Sequence, residues 1–388
     1  MVEIKQEQAL RVALIEPVGG HCGMDYYDFG LARGLAAAGV DVILHTCDET
    51  EIPVGATFEV RHTYRGIYGE APKWRRALNY IRGSFVALMS SVKEKRRVVH
   101  FHLFHIGVPE LVNVAAARLL GRRVVITAHD VESFVGSLES PWMRRLVYRL
   151  AHGVIAHNGV SKHELLQHVG VEERKIRQIR HGNFLGVVPD LPDAELARDR
   201  CGVPRNARVI LYFGQIKEVK GVDILLRAMP GVVAQFPDAV LLLAGKTWKT
   251  DFSYYQGLID ELGIAPSCVV HHRFIPPEEL PDFFASADVI ALPYRRIYQS
   301  GVILLSMSYG KAVVASDLPG FTEVLEDGVS GYVFKRENSD SLCEQLCLAL
   351  ADRNVRENMG TAALKRVVDH YDWDHSGRDT ARLYEEIL

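Results

Sequence analysis

A chain of 388 residues with 45 Lys+Arg against 48 Asp+Glu, 48% hydrophobic and 24% charged, has the composition of a large globular protein, not of a disordered tail or a fibrous repeat. A single core is oversized at this length, so two domains of roughly 190 residues are expected. The net charge of −3 is uneven: residues 1–190 carry 24 Lys+Arg and 20 Asp+Glu, leaving 21 and 28 beyond. That balance disfavours a dedicated nucleic-acid binder, whose basic surface would dominate the sum.

The six cysteines, at 22, 47, 201, 268, 343 and 347, form no CxxC pair and read as reduced thiols of a cytosolic compartment. Cys343 and Cys347 lie four apart in a helical pattern, as two buried thiols on one face. The opening MVEIKQEQALRVALIEP has no apolar signal core, and no apolar run nears the roughly 20 residues that span a bilayer, so membrane contact is expected to be peripheral.

In chain order, short β-branched runs alternate with breaks and amphipathic helices. VALIEP (12–17) precedes a glycine break and the helix DYYDFGLARGLAAAG, and then DVILHT, RVVHFHLFH, RRVVITAH and GVIAHN follow at crossover spacing. After Pro189 and Pro192 the pattern restarts with RVILYFG (208–214), AVLLLAG (239–245), CVVHHRF (268–274), DVIALPY (288–294) and KAVVASD (311–317). This is the grammar of two doubly wound parallel sheets, joined near 186–192. Such sheets bind ligands beyond the carboxyl ends of their strands, where this chain is rich in Gly, His and Lys.

FGQIKEVKGVDILLRAM sets Gly214 at a strand end and Lys217 and Lys220 before a helix, where two point-charge donors can meet a pyrophosphate. In YRRIYQSGVILLSMSYGKAVVASDLPGFTEVLEDGVSGYVF (294–334), Gln299-Ser300-Gly301-Val302 opens an apolar helix whose first N–H groups and dipole suit an anion.

The order of these pieces (GG after strand one, VVHFH, VVITAHD, IRHGN, FGQIKEVKG, LLLAG, FIPPEELPDFFASADVIALPY and QSGVILLSMSYGKAVVASDLPG) resembles the retaining glycosyltransferases of family 4 over essentially the whole chain. Agreement is weakest at 48–98. The resemblance implies an α/β, GT-B fold of two Rossmann-like domains facing a cleft. It implies an acceptor domain at 1–188, a donor domain at 189–371, and a C-terminal helix near 372–388 returning to the first. The implied substrate is a nucleotide-sugar, with no cofactor and no metal, and the implied pathway is cell-surface polysaccharide assembly in the cytoplasm.

Carried over residue by residue, the resemblance makes His129, Lys217 and Lys220 catalytic. It assigns Gly214, Arg273, Phe274, Tyr298, Gln299, Ser300, Gly301, Val302 and Ser306 to the donor, and Gly19, Gly20, His21, His102 and Asp130 to the acceptor. The family's two acidic positions are Tyr298 and Ser306 here, which matches a subset with a Gln-Ser-Gly entry and also motivates a catalytically silent sugar-binding module as a rival. The family's arginine is Gln215, with Lys217 as the compensating cation. His181-Gly182-Asn183 resembles the loop linking the lobes near the donor.

VGGHCGMDY lacks the GxGxxG spacing of a dinucleotide site. His100, His102 and His105 invite a zinc reading, yet no local acid or cysteine completes a shell. Residues 73–97 carry eight Lys or Arg and one Glu among Trp74, Leu78, Tyr80, Ile81, Phe85, Val86 and Met89. With 141–150, this segment either meets anionic lipid near a glycan or lipid-linked acceptor or packs its apolar stripe on the sheet.

Overall fold

Val12, Val98, Val124, Val209 and Val289 are wholly buried, as expected of strands covered by helices on both faces. A computed structural model describes residues 9–20, 23–131, 140–248 and 251–388. The elements run β1 (Arg11–Ile15), α1 (Met24–Ala37), β2 (Asp41–Cys47), β3 (Glu59–Tyr64), α2 (Lys73–Lys93), β4 (Val98–Leu103), α3 (Val108–Leu119), β5 (Arg123–Ala128), α4 (Pro141–Leu150), β6 (Gly153–Ala156), α5 (Gly159–Glu164) and β7 (Ile176–Gln178). They continue with α6 (Ala194–Cys201), β8 (Arg208–Phe213), α7 (Val222–Gln235), β9 (Ala239–Ala244), α8 (Ser253–Glu261), β10 (Cys268–His271), α9 (Leu280–Ser286), β11 (Val289–Leu292), α10 (Gly301–Ser308), β12 (Ala312–Ser316), α11 (Pro319–Thr322), β13 (Tyr332–Phe334), α12 (Ser339–Ala351), α13 (Arg353–His370) and α14 (Trp373–Glu386).

Two parallel sheets result, ordered β3-β2-β1-β4-β5-β6-β7 and β10-β9-β8-β11-β12-β13. Each is a Rossmann-like α/β domain. In both, the order reverses beside the first strand, between β1 and β4 and between β8 and β11. At such a reversal neighbouring crossovers leave on opposite faces and open a crevice for ligand. The strands missing from the sequence reading are β3, β7 and β13. All three lie at or beside a sheet edge, and β3 is half-exposed, so none carries a long apolar run.

The chain divides into two compact units, Met1–Gly182 with Tyr371–Leu388, and Asn183–His370. The division falls at 182/183, not at 188/189 as expected from the prolines. Asn183 already donates through Nδ2 to the Val367 carbonyl (3.0 Å) and the Phe184 N–H donates to Ser308 Oγ (3.1 Å), so these residues belong to the second unit before Pro189 is reached.

Trp373 pins the returning segment to unit 1. A Cβ at Gly30 or Gly182 would stand 2.1 Å from its indole, and one at Gly34 would stand 2.2 Å from its carbonyl oxygen. Missing side chains at these positions let α1 and α14 approach at backbone distance. Trp373→Ala is expected to cost about 3–5 kcal/mol, the range for emptying a buried aromatic site. Denaturant unfolding should show that loss in the transition of unit 1, with the transition of unit 2 unmoved.

Candidate active site

In unit 2 the residues expected at the donor gather where β8 and β11 separate. A Cβ on Gly245 would stand 1.9 Å from the Gly214 carbonyl, and one on Gly221 would stand 1.9 Å from the Pro293 carbonyl. Both glycines also have positive φ, 156° and 65°, so a side chain is excluded on two grounds. The lysine turn is thereby clamped to the end of β11. Arg295 closes the clamp with a bidentate pair to Asp223 (2.8 and 2.7 Å) and a bond to the Glu218 carbonyl. Lys220 Nζ sits 3.7 Å from the centre of the Tyr294 ring, and Lys217 Nζ 4.6 Å from that of Trp248.

Ser300 stands at the N-terminal boundary of α10 with no capping bond from its side chain, and a Cβ on Gly214 would lie 3.7 Å from Val302 Cγ2. Gly214, Lys220 (through Tyr294) and Ser300–Val302 are thus brought together at one sheet edge. Gln299 precedes Ser300 directly. Tyr298 is buried under Gly320, and Ser306 is wholly buried, donating its hydroxyl back to the Val302 carbonyl at 2.6 Å. Both residues, assigned to the donor by the resemblance, stand in the packed interior of unit 2. A helical serine can donate its hydroxyl back to the carbonyl four residues earlier. Arg273 and Phe274 follow the edge strand β10. Arg273 is held by Glu279 (3.0 Å through Nη1), and Phe274 is 66% exposed.

In unit 1 the residues expected at the acceptor stand along the carboxyl edge of β1, β4 and β5. The Gly19 N–H donates to Glu16 (2.5 Å) and the Gly20 N–H to Thr50 Oγ1 (3.1 Å). His21 lies outside the described residues. Asp130 follows β5 and is partly exposed. His102 and Asp28 are fully buried and joined, Nδ1 to Oδ1, at 2.8 Å. The His129 ring stacks on Phe104 at 4.5 Å. These imidazoles belong to a row that also contains His157 and His181, at the ends of successive strands. The Tyr27 ring touches His102, His129, His157 and His181 at 4.7–5.2 Å. The sequence pattern located the histidines singly; that one tyrosine and one carboxylate of α1 organise them had no signal in spacing.

Burial disfavours charge here. It lowers His102 and His157 to about 4 and His181 to about 3, puts His100 and His129 well below the usual range, and raises Glu16 and Asp28 well above theirs. His100 is occupied at both nitrogens, by Tyr384 Oη (2.7 Å) and Thr127 Oγ1 (2.8 Å). Among the described residues no group of three or more His, Cys, Asp and Glu is arranged to hold a metal.

The apolar stripe of α2 does not pack on the sheet. Trp74, Leu78, Ile81, Phe85 and Met89, spaced by four, three, four and four, are exposed, Trp74 and Phe85 each by 65%, while Gly83, Ser84, Ala87, Leu88 and Ser91 form the buried face. Trp142 on α4 and Val108 and Val112 on α3 are exposed as well. Among the described residues no helix is long and apolar enough to cross a membrane.

Comparison with known proteins follows the same division. Residues 193–366 match the model "Glycosyl transferases group 1" and residues 23–182 match "Glycosyltransferase Family 4". A D-inositol 3-phosphate glycosyltransferase of Nocardioides sp. is 25% identical over 98% of this chain and 91% of its own length. A phosphatidyl-myo-inositol mannosyltransferase of Mycolicibacterium smegmatis is 32% identical over 48% of this chain, which spans about half (47%) of that relative. Among solved structures, Anabaena HepE in complex with UDP superposes with a TM-score of 0.74 over 97% of this chain and all of that one, at 18% identity, and so shares the fold.

The buried histidines dictate an acid limit. An imidazole lowered from 6.5 to about 4 leaves the unfolded chain binding the extra proton below pH 6.5. Each such group therefore withdraws about 1.4 kcal/mol per pH unit as pH falls toward 4. The raised carboxyls Glu16 and Asp28 act oppositely, but they are outnumbered by the imidazoles His100, His102, His129, His157 and His181 together with His45, which burial also lowers to about 4. Calorimetry should show the melting temperature of unit 1 dropping steeply from pH 6.5 to 5, and His157→Gln should make the slope shallower; a flat profile contradicts the assignment of neutral buried rings.

Proposed function

We propose that this chain, whose two units match the models of group 1 and family 4 glycosyltransferases, moves a hexose-type sugar, with retention, from a nucleotide-diphosphate sugar to a glycan or lipid-linked acceptor. The carrying observation is the clamp in unit 2. Lys217, Lys220 and the first N–H groups of α10 stand at the strand reversal that binds ligands in this class of sheet. The acceptor hydroxyl attacks the anomeric carbon, the bond to the pyrophosphate oxygen breaks, the nucleotide diphosphate departs, and the hydroxyl proton leaves with it. Fixed cations and N–H groups stabilise the charge growing on the departing phosphate. That electrostatic role asks for no metal ion.

The departure at Tyr298 and Ser306 favours one rival, a silent module that binds nucleotide-sugar or glycan without transfer. A panel of UDP-, GDP-, ADP- and dTDP-sugars, with and without EDTA and membrane extract, separates the two by release of free nucleotide. The transferase reading expects turnover with EDTA present, and NMR of the product should show the anomeric configuration of the donor. Tight nucleotide binding with no turnover on any donor establishes the module. Lys220→Ala should lower kcat roughly 10²-fold, the scale for removing one preorganised donor at a developing anion; an unchanged kcat removes Lys220 from the clamp.

The acceptors named for the two relatives carry phosphate, one of them on a lipid. The exposed stripe of α2, flanked by Arg75, Arg82 and Lys93, supports a peripheral site on an anionic bilayer for this chain, because apolar residues enter the headgroup boundary while each basic residue adds about 1 kcal/mol. Sedimentation with phosphatidylglycerol-containing vesicles should carry the protein down, pure phosphatidylcholine much less. Ile81→Ser with Phe85→Ser should abolish the difference.

A further inference from the structure

The amino edge of the first sheet, opposite the row of histidines, carries a cavity of about 330 Å³. It opens where β4, β5 and β6 begin, and its wall is Arg97, Arg118, Gly121, Arg122, Arg123 and His152. Arg97 and His152 stand directly before β4 and β6, Arg123 opens β5, and Arg118 lies in the last turn of α3. Gly121, at a φ of 72°, turns the chain out of α3 and adds no side chain to the wall. Strand connectivity therefore delivers four guanidinium groups to one place, with no carboxylate among the lining residues.

The acids of the neighbouring elements are spent elsewhere. Asp41 pairs with Arg11 and Arg96 (3.3 and 3.0 Å), Glu94 with Arg61 and Arg96, Glu172 with Arg174 and Lys175, and Glu386 with Arg177. Arg97 gives one N–H to the Leu388 main-chain oxygen (3.2 Å), which offsets one charge at most. Arg122 is held by the Leu120 and Arg96 carbonyls (3.0 and 3.2 Å), so its position is fixed while its charge stays. Arg123 is half-buried, and its guanidinium has no hydrogen bond or ion pair with a described residue. The carboxyl ends of α3 and α4 add about half a unit of negative charge each, which leaves an excess of roughly two positive charges.

His152 adds a sharper requirement. Its Nδ1 accepts the Val124 N–H at 2.9 Å, so the neutral ring carries its proton on Nε2, and Arg118 Nη1 lies against the same ring. Two donors face each other there, and neither has an acceptor among the described residues. An oxyanion supplies the acceptor that both lack. The excess charge matches a phosphomonoester, which carries about −1.5 to −2 at pH 7. No aliphatic residue lines the wall, so an acyl chain gains nothing in it.

We propose that this cavity binds a small phosphomonoester, with Arg118, Arg123 and His152 Nε2 donating to the phosphate oxygens. The site lies away from the carboxyl edges and does not rest on the glycosyl-transfer reading. Its occupant ties the end of α3 to the starts of β5 and β6.

Calorimetry tests this on the full chain carrying Lys217→Ala and Lys220→Ala, which take the lysine turn of unit 2 out of the competition. Glucose 6-phosphate should bind and glucose should not. Adding Arg118→Ala with Arg123→Ala should weaken the phosphate at least about tenfold, the scale of one charge-assisted hydrogen bond. Inorganic phosphate forms a second arm: affinity equal to that of glucose 6-phosphate assigns the binding to the phosphate alone, and weaker affinity shows that the sugar is seated too; either supports the site. A readout free of arginine variants comes from NMR, with His152→Gln identifying the resonance. The His152 ring is held to about 4 by burial and then by Arg118, Arg123 and Lys175, and a bound dianion should bring its titration back toward 6.5 by offsetting those cations. The proposal is overturned if glucose binds as well as its phosphate, if the arginine variant binds as the parent does, or if potassium chloride at equal ionic strength moves the His152 titration as far; each outcome leaves a solvated basic face only.

Discussion

The approach of backbone to backbone at the carboxyl edge of the second sheet is the constraint on which the lysine turn of unit 2 depends. Gly245 lies on the Gly214 carbonyl and Gly221 on the Pro293 carbonyl, each at a distance that admits no Cβ. Because these contacts are made by main chain, they fix the lysine turn against β11 without relying on flexible side chains. Lys220 over Tyr294 and the start of α10 beside Gly214 are consequences of that clamp. A long cationic side chain on a mobile loop loses much of its rotamer freedom on meeting a phosphate. One held by a fixed turn and an aromatic face begins closer to its bound geometry.

Unit 1 handles charge in another way. Its strand ends carry imidazoles, most of them held neutral by burial, interlocked around Tyr27 and tied to Asp28. Neutral rings can be packed at the carboxyl edge of a sheet with little electrostatic cost, whereas a row of cations could not. Positive charge without an ion pair among the described residues is placed instead on α2, where Lys73 is exposed. The overall charge of −3 says nothing of this arrangement, because the relevant lysines and arginines are few and are segregated from the acids that balance them.

The two sheets were legible because central parallel strands are buried on both faces and must read as apolar runs, and every central strand of both units appears where such a run stands. The edge strands β3 and β13 and the short β7 were not, since half-exposed or three-residue strands impose no such pattern. The prolines at 189 and 192 marked a break in regular structure. The division of the packing came earlier, at Asn183, because hydrogen bonds to Val367 and Ser308 decide it.

Among the site residues, glycines and lysines at strand ends could be placed by order along the chain, since connectivity alone delivers them to one edge. The burial of Tyr298 and Ser306, the pairing of His102 with Asp28, and the partnership of Lys220 with Tyr294 could not, as each joins residues from different elements. The sequence by itself determined that there are two doubly wound sheets and that Gly, His and Lys crowd their carboxyl ends, because hydrophobic periodicity and strand order are properties of the chain. Only the tertiary structure decided that the apolar stripe of α2 is exposed and which histidines share one tyrosine, because both depend on how separate elements pack against one another.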